Sequence, residues 1–312
     1  MHTRMSDAAI TLDRVTKRFG QVEAVRGVSF EVRKGEMFGL IGPDGAGKTT
    51  TIRMLCGLLR ADAGTIRVLG QDPVAQHRAI TRTVGYFSQK FSLYGDLTID
   101  ENIAFFAEIH GVKGYQARRN RLLDMMQLTK FRARLAERLS GGMKQKLALA
   151  CTLVHEPDVV LLDEPTTGVD PISRREFWRL LSEFLSQGIT IFMTTPYLDE
   201  AERCSRVALM SEGLVLALDQ PSAIRAAFPG EIVEVIAEPQ GAALALVRQD
   251  AGVQDVQTFG ERLHARLEQG HGEPAVARIG AALLQAGVSV TSLRVLPASL
   301  EDVFIDRVTH TR

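Results

Sequence analysis

Lys48 and Thr49 end an eight-residue stretch, GPDGAGKT, that begins at Gly42. The stretch fits the spacing GxxxxGK[ST]. It stands between a compact apolar run, MFGLIG (37–42), and KTTTIRMLCGLL, whose periodicity is helical. Strand, glycine loop and helix in that order make an anion cradle. Gly42, Gly45 and Gly47 let the backbone wrap phosphate with its N–H groups pointing inward at a helix N-terminus. Lys48 supplies a point charge for β- and γ-phosphates, and the Thr49 hydroxyl can ligate Mg²⁺. An ordinary glycine-rich turn between strand and helix is the alternative.

A second stretch, VVLLDE (159–164), is an apolar strand that ends in two carboxylates. Charges at the end of a buried strand are unfavourable unless they have a task there. Asp163 would hold Mg²⁺, directly or through water, and Glu164 would orient or deprotonate an attacking water. Alone the motif is weak, since such strings also end in solvated turns. About a hundred residues after a phosphate loop it gains weight. A third stretch, LSGGMKQK (139–146), opens a helix with Ser140 as cap and two glycines behind it. It makes a second anion-binding helix start. A chain with one nucleotide has little use for two, unless the second faces another molecule's nucleotide; a flexible helix start is the bland alternative.

The elements that must position these groups read as follows. ITLDRVTKRFG and VEAVRGVSFEVRKGE consist of short alternating runs, as in antiparallel strands. VVLLDEP and ITIFMTT (189–195) suit a parallel sheet buried on both faces. From about Asp96 to Gln127 the pattern is helical, with Asp100 and Glu101 in a first turn, and SRREFWRLLSEFLSQG is a further helix. Around AIRAAFPGE (223–231) the texture changes. The remainder reads strand, helix, two strands across a turn at Phe259-Gly260, helix, strand and short helix, the order of a ferredoxin-like α+β unit. The domain boundary is expected near residue 229, giving 1–228 and 229–312, and no internal repeat appears.

The totals narrow the function classes. The 312 residues carry 37 basic and 37 acidic side chains, so nothing points to a polyanion, and no nucleic acid partner is expected. Cys56, Cys151 and Cys204 lie far apart without a CxxC pair, as buried thiols of a reducing compartment do. No apolar run is long enough to span a bilayer, and MHTRMSDAAITLDR lacks a secretory apolar core. The chain is expected to be soluble and cytoplasmic, reaching a membrane only through another protein.

In combination the three motifs resemble those of the ATP-binding cassette (ABC) ATPases, over about residues 8–228. The resemblance implies a P-loop NTPase (RecA-like) α/β core with a mostly parallel sheet, an antiparallel β subdomain and a helical signature subdomain at about 91–150. It implies ATP and Mg²⁺ as ligands. Gly42, Pro43, Asp44, Gly45, Ala46, Gly47, Lys48, Thr49 and Thr50 become the Walker A loop, and VVLLDEP the Walker B strand with Glu164 as catalytic glutamate. Gln89, in YFSQK, becomes the Q-loop glutamine that reaches toward Mg²⁺ and water. Leu139, Ser140, Gly141, Gly142 and Met143 become the signature that completes the opposing subunit's site in a head-to-tail dimer. Asp170, in TTGVD, falls in the D-loop. Phe19 stands where an aromatic residue usually stacks on adenine, although it could equally be core. Asp44 replaces the more usual asparagine and brings a negative charge near phosphate.

The segment KFSLYGDLTIDENIAFFAEIHG resembles the part of the helical subdomain that meets a membrane partner's coupling helices, although its aromatic residues could form its own core. LDEPTTGVDPISRREFW and the tail PASLEDVFIDRV look most like ATPases of ABC-2 type exporters in the drug and antibiotic efflux group. Such a subunit would sit on the inner face of the cell membrane through an ABC-2 type permease, as a homodimer or beside a second ABC ATPase. One residue departs from the pattern. Pro196, in MTTPYLDEAE, occupies the position where the family carries a switch histidine touching the γ-phosphate. Proline offers neither an N–H nor a polar side chain. Either Pro196 only ends a strand, with Thr195 or Tyr197 supplying the hydrogen bond, or this site turns over slowly. In the second case the chain completes a competent site on a different cassette, or serves as a binding, largely non-hydrolysing subunit. A relative working on DNA or ribosomes is the third alternative.

Overall fold

Two twelve-residue strands, β1 (Ala8–Phe19) and β2 (Val22–Arg33), run antiparallel, and β2 alternates buried and exposed residues over Val28–Arg33. β3 (Met37–Ile41) is buried at all five positions and leads through Gly42 into α1 (Lys48–Leu55). β4 (Ala63–Val68) returns to β1 and completes a three-stranded antiparallel sheet ordered β2-β1-β4. α2 (His77–Thr83) and β5 (Val84–Phe87) follow, then three helices, α3 (Ile99–Ile109), α4 (Gln116–Met125) and α5 (Gly141–Leu153). β6 (Val159–Asp163), α6 (Pro171–Ser186), β7 (Thr190–Thr195), α7 (Leu198–Ala201), β8 (Arg206–Ser211) and β9 (Leu214–Asp219) complete this part. The computed structural model describes residues 8–90 and 93–311. The reading of the first seven residues, and Phe91 and Ser92 at the head of the helical segment, lie outside the described residues.

β3 and its neighbours form a six-stranded sheet ordered β5-β6-β7-β3-β8-β9, parallel except for the β8–β9 pair. This order puts the carboxyl ends of β6, β7 and β3 side by side, with Asp163 beside Thr194 and Ile41 beside Thr195. In open parallel sheets that edge is where ligands bind. The antiparallel sheet closes on this one through stacked aromatic rings. Phe30 lies 5.1 Å from Phe38 and 6.0 Å from Phe192, centroid to centroid, and all three are buried.

The helical segment owes its start to a reciprocal cap. Thr98 accepts from the Glu101 N–H, and the Glu101 carboxylate accepts from the Thr98 N–H. Buried Asn102 ties the preceding loop down by donating to the carbonyls of Tyr94, Leu97 and Thr98 and accepting from the Tyr94 N–H. Tyr94 and Phe105 meet edge to face at 4.5 Å, yet Tyr94 stays 45% exposed, so these aromatic residues form no closed core of their own.

At the far end of α3, His110 stacks on His155 with ring centroids 3.8 Å apart and planes 5° from parallel. His110 bonds the Thr81 carbonyl, and His155 the Val84 carbonyl. Burial first, then His110 and Arg118 nearby, push the His155 imidazole down to about 4, while Glu156 pairs with Arg118 beside it. The folded chain therefore takes up that proton later than the unfolded chain does. Stability is full above about pH 6.5 and falls as the pH drops toward 4, by roughly 3 kcal/mol from His155. Urea titrations at pH 7.5 and 4.5 are expected to show that much less pH dependence in His155→Phe, which keeps a stacked ring that cannot charge.

The chain divides into two compact units between Gln220 and Pro221. α8 (Pro221–Ala226) thus belongs to the second unit, ahead of the boundary near residue 229 suggested by sequence texture. Its packing on the last helix, a contact between distant segments, accounts for the difference. β10 (Glu231–Glu238), α9 (Gln240–Gln249), β11 (Val253–Phe259), β12 (Arg262–Leu267), α10 (Gly272–Gln285), β13 (Ser289–Leu296) and α11 (Leu300–Thr311) follow. The four strands are antiparallel in the order β11-β12-β10-β13, a ferredoxin-like arrangement. One face, with Val233, Val235 and Ala265, packs on Val247 of α9 and Ile279 and Leu283 of α10. The other carries His264 and Arg266, which pair with Asp302 and Asp306 of α11.

Candidate functional site

The loop after β3 is shaped by glycine in two different ways. Gly45 has φ +80° with open space around it, whereas Gly47 has φ +106° and a side chain there would sit 2.2 Å from the Ala24 carbonyl oxygen. Gly42 is as tight, with the Met210 carbonyl 2.0 Å from where a Cβ would be. Gly47→Ala is accordingly expected to lower stability by roughly 3 kcal/mol or more, and Gly45→Ala by roughly 1 kcal/mol. Thermal melts of the two variants check this.

From that loop Lys48 turns inward. Its ammonium donates to the carbonyls of Gly42 (2.8 Å) and Pro43 (3.0 Å) and lies 3.2 Å from the Glu164 carboxylate. Glu164 also accepts from the Gln89 side-chain amide at 2.9 Å. Its backbone has φ +49°, a left-handed conformation outside glycine, held by bonds from its N–H to the carbonyl and hydroxyl of Thr194. Strain of this kind gathers at functional sites. Next to it, buried Asp163 accepts from Thr194 (2.6 Å) and Thr49 (3.2 Å). Burial pushes the Asp163 carboxyl up, against the pull of those two hydroxyls.

Lys48, Thr49, Gln89 and Glu164 line a cleft of about 820 Å³, together with Asp44, Gly45, Gly47 and Thr50. The geometry brings those sequence-predicted residues together, with Asp163 behind Thr49. Oxygen donors on Thr49, Asp163 and Gln89 suit a hard cation such as Mg²⁺. Among the described residues no cluster of three or more His, Cys, Asp or Glu could hold a metal by itself. A cation here would complete its shell with substrate oxygens, as Mg²⁺ ordinarily does.

Other predicted residues lie elsewhere. Phe19 is 49% exposed, with the Lys17 amine 5.5 Å from its ring, so it is not core, and it does not line the cleft. Leu139 is buried, Ser140 caps α5 by accepting from the Met143 N–H, and Gly141 is open to solvent. Gly142 is pressed against α6, where a Cβ would meet the Ser173 hydroxyl at 2.2 Å. Asp170 caps α6 through the N–H groups of Ile172 and Ser173, and the Ser173 bond holds its carboxyl below the usual range. Residues 139–143 and the start of α6 thus share one surface, and none of them lines the cleft. Pro196 and its neighbours are also absent from the lining. The Thr195 hydroxyl is buried and accepts from the Tyr197 N–H, and the Tyr197 ring lies 4.8 Å from the Arg174 guanidinium. Thr194, which holds both Asp163 and Glu164, escapes the sequence reading because it sits inside an apolar strand.

The ABC transporter family profile matches residues 25–167, and that of the ATP-binding protein DrrA1-3-like C-terminal domain matches residues 220–308. Nod factor export ATP-binding protein I of Paraburkholderia xenovorans (strain LB400) is 40% identical over 310 residues, covering 96% of this chain and 97% of its own. The chain belongs to the ABC transporter ATP-binding family. Daunorubicin resistance ATP-binding protein DrrA3 of Streptomyces coeruleorubidus is 34% identical over 309 residues, with 96% of each chain covered. The probable multidrug ABC transporter ATP-binding protein YbhF of Escherichia coli (strain K12) is 49% identical over 231 residues, or 72% of this chain. The match spans 40% of the length of that relative.

Solved structures agree on the fold. The ATP binding subunit of an ABC transporter aligns with TM-score 0.65 at 29% identity, covering 70% of this chain and 93% of that chain. A bacterial ABC transporter cassette solved as a dimer aligns with TM-score 0.60 at 25% identity, covering 68% and 98%. Among the described residues no helix is long and apolar enough to cross a membrane.

Proposed function

We propose that this cassette binds and hydrolyses Mg²⁺-ATP to energise an ABC-2 type exporter of drugs or other small molecules. Two copies, or this chain and a second cassette, would pair head to tail with nucleotide between them. The pair would lie on the inner face of the membrane through the permease. One observation carries the reading: Lys48, Thr49, Asp163, Glu164 and Gln89 converge at the carboxyl ends of adjacent parallel strands. Relatives named for Nod factor export, daunorubicin resistance and multidrug transport support the export role.

The chemistry follows from these side chains. The loop N–H groups and Lys48 bind the β- and γ-phosphates at the start of α1. Thr49, Asp163 and Gln89 would hold Mg²⁺, which neutralises charge on the phosphate oxygens when bound. Glu164 orients the attacking water and takes its proton. Triphosphate entry requires Lys48 to release Glu164, which frees that carboxylate for the water. Ser140, Gly141 and Gly142 open a helix N-terminus away from the chain's own cleft, as a group serving an opposing nucleotide must.

A second reading rests on Pro196. Pro196 has no donor to offer, and among the described residues neither it nor Thr195 nor Tyr197 lines the cleft, which favours a slow site paired with a competent second cassette. Equilibrium binding of a fluorescent Mg²⁺-ATP analogue, with phosphate release measured alongside, tests both. Saturable binding abolished by Lys48→Ala supports the nucleotide site, and binding that survives this substitution overturns it. Slow release that accelerates when a second cassette is added favours the asymmetric pair.

A further inference from the structure

Glu200 is 1% exposed, and its side chain reaches toward segments that leave three different elements. A buried carboxylate is unfavourable unless it is paired and hydrogen-bonded. Its Oε1 accepts from the Thr166 hydroxyl, two residues past Glu164, and from Arg174 Nε at 2.7 Å, in the first turns of α6. Its own backbone N–H bonds the Tyr197 carbonyl, just past Pro196. Its second oxygen, Oε2, is buried with no hydrogen-bond partner. Arg174 extends the junction. It reaches Asp199 at 3.3 Å and faces the Tyr197 ring, and its N–H bonds the carbonyl of Asp170.

We infer that Glu200 is a positioning residue for hydrolysis. Its carboxylate locks the Glu164 loop, the start of the Asp170 helix and the Pro196 loop into one rigid junction. The inference rests on the ATPase reading above. The link to the reacting groups is short. The Thr167 N–H bonds the Glu164 carbonyl, and its hydroxyl lies 3.4 Å from Glu164 Oε2. A shift of Thr166 therefore carries the Glu164 carboxylate with it. Where the loop after β7 lacks a polar side chain of its own at Pro196, Glu200 supplies its order from beneath. Misplacing a catalytic group by about 1 Å can slow a reaction roughly a hundredfold without weakening ground-state binding.

The test is single-turnover hydrolysis of radiolabelled Mg²⁺-ATP by the full chain, with nucleotide affinity and thermal midpoint measured in parallel. Glu200→Ala is expected to lower the hydrolysis rate about tenfold to hundredfold while the Kd changes less than about threefold. Glu200→Gln, whose amide oxygen still accepts from Thr166 and Arg174, is expected to stay within about threefold of wild type. Glu200→Ala that binds one nucleotide per chain and hydrolyses at the wild-type rate overturns the inference, whatever its melting temperature. Should Glu200→Ala not fold, Thr166→Val removes a single hydroxyl from the junction at constant volume. The same rate loss is expected there, and an unchanged rate overturns the proposal. Failure of the underlying ATPase reading is distinguishable, because the wild-type chain itself would then fail to hydrolyse nucleotide, whether or not it binds it.

Discussion

Replacing Pro196 by His is expected to raise turnover at saturating Mg²⁺-ATP by about a hundred- to thousandfold. That is the effect of adding one preorganised donor to a developing oxyanion, which is typically worth roughly 2.7–4 kcal/mol. Neighbouring residues leave room for the whole effect. Thr195 and Tyr197, like Pro196, are absent from the cleft lining, so neither already supplies a donor there. Ground-state binding depends on the loop amides and Lys48, so the Kd for nucleotide is expected to change less than about threefold. Pro196→Ala serves as control. It removes the same ring and restores the N–H without adding a donor side chain, so its turnover should match wild type. If Pro196→His also leaves turnover unchanged at saturating nucleotide, the absent donor is not what limits this site.

What could be read from the sequence follows from how local each signal is. The strand-loop-helix around Lys48 and the two carboxylates closing β6 are contiguous, so residue types and spacing reveal them before any contact is known. The parallel core strands β3, β6 and β7 stand out for the same reason, being mainly apolar and buried throughout. β4 does not, because three of its first four residues are exposed and it pairs only along the edge of β1. Thr194 looks like strand filler until β7 is set beside β6, which places its hydroxyl on Asp163. Glu200 reads as one acid in an acidic helix start, and only the approach of Arg174 and Thr166 buries it. Phe19 shows the converse: an aromatic residue near a strand end suits core or ligand equally in one dimension, and its exposure decides against core. Pairwise contacts across dozens of residues carry no local signature, whereas a loop that must wrap phosphate carries one at every glycine.

Glu164→Gln is expected to lower turnover by about a thousandfold, within the usual range for removing a general base. Binding should move the other way. The carboxylate now lies 3.2 Å from Lys48, competing with phosphate for that ammonium, and both side chains are buried. An amide neither holds Lys48 as strongly nor repels a triphosphate, so nucleotide is expected to bind several-fold more tightly. The unliganded chain should lose roughly 1–3 kcal/mol of stability, since Lys48 keeps its bonds to the Gly42 and Pro43 carbonyls but loses its counter-ion. Slow turnover, tighter binding and a weaker apo fold in one variant would separate a base caged by the phosphate-loop lysine from one that is merely nearby. Calorimetric titration, single-turnover hydrolysis and thermal melts read the three quantities independently. Turnover within about threefold of wild type would remove Glu164 from the chemistry, and weaker nucleotide binding would show that Lys48 needs its partner to stay in place for phosphate.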